Sequence, residues 1–172
     1  MDIVTKVVIL SDSHGLTKEI QHIKNREKAD FVIHCGDSEL REDAKELENV
    51  ITVAGNCDFN GKFPNEQKKE INGLTFFVVH GHLHNVKMNL MNLAYSAEEK
   101  SADIVCFGHS HIAGAEKVNQ KLFLNPGSIR LPRTRSEKTY AIITWETNEE
   151  IAVDFITLEG KKVEELSFVT SL

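Results

Sequence analysis

The sequence predicts an α/β protein built from two stacked mixed sheets with helices outside. Three observations lead there. The first half alternates short β-branched runs with segments of helical spacing. The middle pairs strands across the tight turns Asn72-Gly73 and Asn119-Gln120. The last third reads as three strands in an antiparallel meander. The 172 residues suit one domain with a sizeable core, and 1–172 is taken as that unit.

In chain order, Val4–Leu10 is short, apolar and β-branched, which is the pattern of a strand buried on both faces. Thr17 is placed to cap a helix carrying Ile20 and Ile23. Phe31–Cys35 is a second buried strand, and Glu39–Leu47 puts Leu40, Ala44 and Leu47 at helical spacing. Val50–Ala54 is a third strand. Gly55 to Asn65, rich in Gly, Asn and Pro, is a loop. Glu66–Ile71 and Leu74–Val79 form a hairpin. Asn85 is expected to cap a helix whose face carries Leu90, Leu93, Ala94 and Ala97. Asp103–Phe107 is buried strand, and Ala115–Val118 with Lys121–Leu124 is a second hairpin. Thr139–Trp145, Ile151–Leu158 and Lys162–Val169 close the chain.

Bulk properties narrow the function. A net charge of −6 argues against non-specific nucleic-acid binding. No apolar run approaches a membrane span of roughly 20 residues, and the N-terminus lacks a signal-peptide pattern. Three scattered cysteines do not make a disulfide framework, and Cys35 and Cys106 read as reduced core residues. A cytoplasmic location is expected. Edge strands of the meander offer a route to a homo-oligomer.

The chemistry collects where apolar runs stop. Val7–Leu10 leads to Asp12 and His14, which sit two apart and so share a side of an extended chain. Phe31–Ile33 leads to His34, Gly36 and Asp37. Ile51–Ala54 leads to Gly55, Asn56 and Asp58. Phe76–Val79 leads to His80, Gly81 and His82, and Ile104–Phe107 to Gly108, His109 and His111. In open α/β sheets, ligands bind beyond the carboxyl ends of strands, so five such endings point to one site. Asp12, His14, Asp37, Asn56, His80, His109 and His111 form a mixed oxygen and nitrogen donor set. It suits manganese, iron, cobalt, nickel or zinc, and seven donors suffice for two such cations. Seven donors exceed the needs of one ion, and two neighbouring ions are the usual clamp for in-line displacement at phosphorus.

Each of these histidines, taken alone, could be structural. Asp12 and Asp37 could be caps or turn residues, and Asn56 a turn. His22 reads as surface, His34 as packed or supporting, His82 as pocket lining and His84 as solvent-facing. Asn125-Pro126-Gly127-Ser128 is a turn. Arg130, Arg133 and Arg135 follow it, and guanidinium groups suit phosphate. Asn125, Ser128 and Arg133 are therefore candidate substrate contacts.

In order along the chain, Asp12-x-His14, Gly36-Asp37, Gly55-Asn56, His80-Gly81 and Gly108-His109-x-His111 resemble the motifs of the calcineurin-like metallophosphoesterases. Gly55-Asn56-Cys57-Asp58 and Asn125-Pro126-Gly127-Ser128 are similar to the small single-domain phosphodiesterases of bacteria and archaea. The resemblance implies a four-layer αββα sandwich. Asp12, His14 and His111 would hold one ion, Asn56, His80 and His109 the other, and Asp37 would bridge them. It also implies hydrolysis of a small phosphodiester by in-line attack of a metal-bridging hydroxide. Many members carry a histidine after the motif asparagine, where this chain has Cys57. A thiol with a pKa near about 8.5 donates a proton poorly compared with an imidazolium. Asp37, Asn56, Cys57, Asp58 and His82 are the catalytic candidates, the last two as stand-ins for the missing acid. A phosphomonoesterase is one alternative. A non-catalytic scaffold, as in the retromer subunit that looks like this family, is another.

Overall fold

A computed structural model describes residues 3–172. Two sheets lie face to face, with one helix outside each. Sheet one has the order β11-β10-β9-β1-β2-β3 and sheet two the order β4-β5-β6-β8-β7. In sheet one, β1 (Thr5–Leu10), β2 (Phe31–His34) and β3 (Val50–Thr52) run parallel. The antiparallel strands β9 (Thr139–Trp145), β10 (Ile151–Thr157) and β11 (Phe168–Thr170) complete it. In sheet two, β5 (Leu74–Val79), β6 (Ile104–Cys106) and β8 (Lys121–Asn125) are parallel. Its antiparallel edges are β4 (Glu66–Ile71) and β7 (Gly114–Val118).

Strand alternation builds the layers. Val7 and Ile9 of β1 meet Phe76 and Val78 of β5 in the core between the sheets. Val8 and Leu10 face the other way, onto Ile20 and Ile23 of α1 (Lys18–Glu27). Phe77 and Val79 likewise face outward, onto Leu93 and Ala97 of α2 (Met91–Glu99). This is the αββα sandwich expected from the sequence. Strands buried on both faces lose the polar/apolar alternation of a half-exposed strand, which is why β1, β5 and β6 read as unbroken apolar runs. Both hairpin turns place two consecutive residues at positive φ: Asn72 and Gly73, then Asn119 and Gln120. That geometry matches the right-handed twist of the flanking strands.

Three local expectations are corrected. Glu39–Leu47 is not a helix; only Lys45–Leu47 forms a 3₁₀ turn. Glu39 stands at φ 56° with its amide bonded to the Asp58 carboxylate at 2.7 Å, so tertiary contacts override local spacing. Asn85 does not cap α2. It ends the 3₁₀ turn His82–His84 at φ 56°, and the helix starts six residues later, where Asn89 Oδ1 accepts the Met91 amide. Lys162–Val169 is not one strand: an isolated bridge at Lys162 and a 3₁₀ turn at Glu164–Leu166 precede the short β11.

Candidate metal centre

Because β1, β2 and β3 are parallel, and β5 and β6 are parallel, five carboxyl ends open onto one rim of the sandwich. The loops that follow are laced together. The Asp12 amide donates to Gly36 O, the His14 amide to Asp37 O and the Gly108 amide to His80 O, at 2.9–3.0 Å. Bonds also cross between the sheets, among them that from the His109 amide to Asp12 Oδ2 at 3.1 Å.

The side chains of these loops converge. His111 Nε2 lies 3.2 Å from Asp12 Oδ1, and His80 Nε2 lies 3.2 Å from Asp37 Oδ2 and 3.8 Å from Asp12 Oδ1. His14 Nε2 is 3.4 Å from His111 Nε2, 3.8 Å from Asp12 Oδ1 and 4.0 Å from Asp37 Oδ2. Asn56 Oδ1 is 3.1 Å from His80 Nε2. Three groups bring ligand atoms within 4.8 Å of one another: Asp12 with His14 and His111; Asp12 with Asp37 and His80; His14 with Asp37 and Cys57. The His109 ring stands beside these groups, 5.1 Å from the His80 ring, and the His82 ring 5.4 Å from it on the same wall.

The outer nitrogens decide what the inner ones can do. His80 Nδ1 meets Cys35 O and His111 Nδ1 meets Leu131 O, both at 2.7 Å, and His14 Nδ1 meets Glu39 Oε2 at 3.0 Å. Carbonyls and carboxylates only accept, so each Nδ1 carries the proton and each neutral ring turns a bare Nε2 lone pair inward. Asp12 Oδ2 already accepts from the Ser11 hydroxyl at 2.6 Å, while the fully buried Asp12 Oδ1 has no donor at all. Acceptors confronting acceptors across 3.1–3.4 Å require positive charge between them. The donor set therefore fits divalent cations.

Without a cation, a proton on the imidazole is the other positive charge these carboxylates can draw in. Burial works against ionising Asp12, but His111, His80 and the Ser11 hydroxyl together hold its carboxyl below the ordinary carboxylate range. For Asp37, burial is likewise outweighed by the His80 contact and charge and the Cys57 amide, and its carboxyl falls far below that range. His111 is raised by its Asp12 contact, and His80 is raised against its own burial by Asp37 and Asp12. His109 goes the other way, to about 4, because it is partly buried and faces the charges of His80 and Lys87.

The backbone of the rim is unusual as well. Asp12, His14, Asp37, His109 and His111 all take positive φ, between 40° and 70°. That conformation is costly for residues with a β-carbon and concentrates at functional sites. Glycines let the carboxylates seat. A Cβ on Gly55 would lie 2.0 Å from Asp37 Oδ1, and one on Gly108 would lie 2.6 Å from Asp12 Oδ2.

Around the cage, each remaining candidate has a definite post. Asp58 accepts three amides, from Asp37, Glu39 and Gly55, at 2.7–2.8 Å. Cys57 donates its amide to Asp37 Oδ1, and its thiol, half-buried and facing Asp37, is pushed up to about 11. His34, fully buried, is depressed to about 4 by burial. It accepts the Gly36 amide on Nδ1 and meets the Ser13 hydroxyl through Nε2. Asn125 spends its amide nitrogen on Gly108 O and Ser110 Oγ and its oxygen on the Gly127 amide. Ser128 donates to Asp12 O and accepts two amides. Neither side chain is left free for a substrate; both tie the ligand loops. Arg130 donates to His14 O, and Arg135 pairs with Glu137 and Glu165. Among the described residues Arg133 has no side-chain partner, and it is exposed. Sequence reasoning missed Glu39 and Ser11. Ser11 directly precedes Asp12, a position from which a hydroxyl readily reaches the carboxylate. Nothing local marked Glu39.

The first fact from outside the chain is a match of residues 5–148 to the calcineurin-like phosphoesterase superfamily domain. The chain belongs to that family. A probable metallophosphoesterase of Bacillus subtilis, YsnB, is 50% identical over 162 residues, spanning 93% of this chain and 95% of the relative. The phosphodiesterase MJ0936 of Methanocaldococcus jannaschii is 32% identical, over 71% of this chain and 82% of its own. A predicted phosphoesterase of Streptococcus pneumoniae superposes with a TM-score of 0.94 at 35% identity, covering 99% of both chains. Vacuolar Protein Sorting 29 of Cryptosporidium parvum shares the fold, with a TM-score of 0.80 at 21% identity and 98% of both chains covered. No helix among the described residues is long and apolar enough to cross a membrane.

Proposed function

We propose that this calcineurin-like phosphoesterase is a metal-dependent phosphodiesterase that holds two divalent cations, manganese foremost. Asp12, His14 and His111 would hold one ion, Asn56, His80 and His109 the other, with Asp37 shared. Bound there, the cations would supply an activated water for in-line attack and neutralise charge on the phosphate oxygens. The observation that carries the reading is Asp12 Oδ1, buried without a donor and faced by the Nε2 atoms of His14, His80 and His111.

The chain's own residues set the preference for diesters. Cys57 keeps its proton, since its thiol stands at about 11, and so protonates a departing alkoxide poorly. Asp58 is committed to three amides and holds the Asp37 and Gly55 loops rather than handling a proton. His82, half-buried with an unpartnered Nδ1 beside His80, is the remaining group on that wall that can exchange a proton. Substrates with good leaving groups are favoured accordingly.

The test is hydrolysis of bis-p-nitrophenyl phosphate with Mn, Ni, Co or Zn, beside p-nitrophenyl phosphate and an Asp12→Ala control. Metal-dependent turnover of the diester, faster than that of the monoester and lost in the control, is the expected result. Faster monoester turnover makes the protein a phosphomonoesterase. Inactivity with all four metals in a folded protein leaves the scaffold reading.

A further inference from the structure

A cavity of about 540 Å³ opens beside the cage, on the outer face of sheet two, between the segment that precedes α2 (Val86, Lys87 and Leu90) and the β7/β8 pair. Its volume lies within the range of small-molecule sites, and well beyond what a phosphate group fills. Its floor is the β7/β8 pair: Gly114 lies opposite Asn125 and Glu116 opposite Phe123. Ala113 and Ala115 pack into the core between the sheets, so the alternation aims Gly114 and Glu116 into the cavity. Phe107 and Phe123 supply aromatic surface, and Lys87 and Arg133 add two cations against the single carboxylate of Glu116.

The cavity and the cage share a wall. Ser110, between His109 and His111, lines the cavity, and the Arg133 amide donates to His111 O. Ser110 Oγ accepts from Asn125 Nδ2 at 3.0 Å and from the Ile112 amide at 3.3 Å, but donates to nothing among the described residues. Its hydroxyl proton is therefore available at the junction between cavity and cage.

Resting on the phosphodiesterase reading, we propose that this cavity receives one organic arm of the diester, and that the arm is a flat aromatic ring of nucleobase size. Ser110 donates to the phosphate or its bridging oxygen, and Lys87 and Arg133 complement the anionic side of the same substrate. Aromatic and aliphatic walls reward a flat apolar body, and the paired cations reject neutral esters.

Gly114 gives the test. A Cβ there meets no atom within 4 Å, and the backbone is not left-handed, so Gly114→Leu fills the cavity without strain. The probes share a p-nitrophenyl leaving arm and differ in the arm retained on phosphorus: thymidine 5′-(p-nitrophenyl) phosphate carries a base ring there, and methyl p-nitrophenyl phosphate carries only a methyl group. Wild type should favour the thymidine diester in kcat/KM by about tenfold or more, and Gly114→Leu should erase that preference while the methyl diester reacts as before. Binding of thymidine 5′-(p-nitrophenyl) phosphate to metal-free protein, followed by calorimetry, should weaken about tenfold in Gly114→Leu and also in Lys87→Ala. Thermal melting confirms that the variants fold. Equal treatment of the two diesters by wild type, or equal binding by wild type and Gly114→Leu, overturns the assignment but leaves the phosphodiesterase reading intact. Inactivity of wild type on both diesters, with cavity-dependent binding retained, strikes that reading and leaves the cavity a binding site for the ring.

Discussion

The two halves of the cage are built differently. Asp12, His14 and His111 form the more closed half: Asp12 is fully buried and His111 nearly so, and His14, though half-buried, has its imidazole oriented by Glu39 as that of His111 is by Leu131 O. Asn56, His80 and His109 form an open half. His80 is buried and held by Cys35 O, but Asn56 is exposed and His109 only half-buried. The closed half has its geometry fixed before any ion arrives. The open half meets solvent and the neighbouring cavity, which fits the substrate-facing role proposed for it. The contrast extends to charge within one tripeptide: His111 is raised by Asp12, whereas His109 drops to about 4 beside His80 and Lys87.

The sharpest way to break that comparison is to remove what joins the halves. Asp37→Asn should cut turnover of bis-p-nitrophenyl phosphate by about a hundredfold or more, since under the proposed two-ion reading both ions would lose a charged ligand. Metal analysis should show depleted sites, and full metal content with full turnover would end the bridging assignment. Next comes inequality between the halves. Glu39→Ala frees His14 Nδ1 and should weaken the tighter metal-binding step by about tenfold. Asn56→Ala should instead weaken the looser step. Calorimetric titration of metal-free protein separates the two, and identical effects would mean that the halves are not distinct.

A smaller, global effect follows from filling both halves. Metal at about 100 times its Kd should add about 2.7 kcal/mol per occupied site to wild type, a rise of several degrees in Tm for each, and less to Asp37→Asn. A scanning-calorimetry trace unchanged by metal would contradict a cage that binds cations in the folded state.

The smallest effect lies at the other end of β1 and serves as a control. Glu27 accepts from Lys6 Nζ at 2.8 Å and from the Tyr140 hydroxyl at 2.5 Å. Burial opposes its charge, but the Lys6 and Tyr140 bonds prevail and lower its pKa below 4.5. A depressed carboxylate stabilises above its unfolded pKa and loses that contribution as pH falls through the folded value. Glu27→Gln should cost about 1 kcal/mol at pH 7, a charged hydrogen bond discounted for partial exposure, and nothing at pH 2. Denaturant midpoints at the two pH values measure this, and metal titration should be unaltered.

Much of the site was legible because its residues stand where strands end. An apolar run that stops at Asp12, Asp37 or His80 is a local signal, and parallel strands carry such endings to one rim. What joins them was not legible. The bonds from the His109 amide to Asp12 and from Ser128 to Asp12 O span 97 and 116 residues. Asn125 and Ser128 looked like substrate contacts because they follow a strand into a turn. Their polar atoms are instead consumed by the backbones of the ligand loops.

The sequence alone determined the strand inventory, both hairpin turns and the donor types, because periodicity, Asn-Gly chemistry and residue identity are local properties. Tertiary structure decided which nitrogen of each histidine faces inward, why Glu39 leaves its helical pattern, and that a cavity adjoins the cage. Each of these depends on groups remote in the chain: the Cys35 carbonyl, the Asp58 carboxylate, and the meeting of the segment before α2 with the β7/β8 pair.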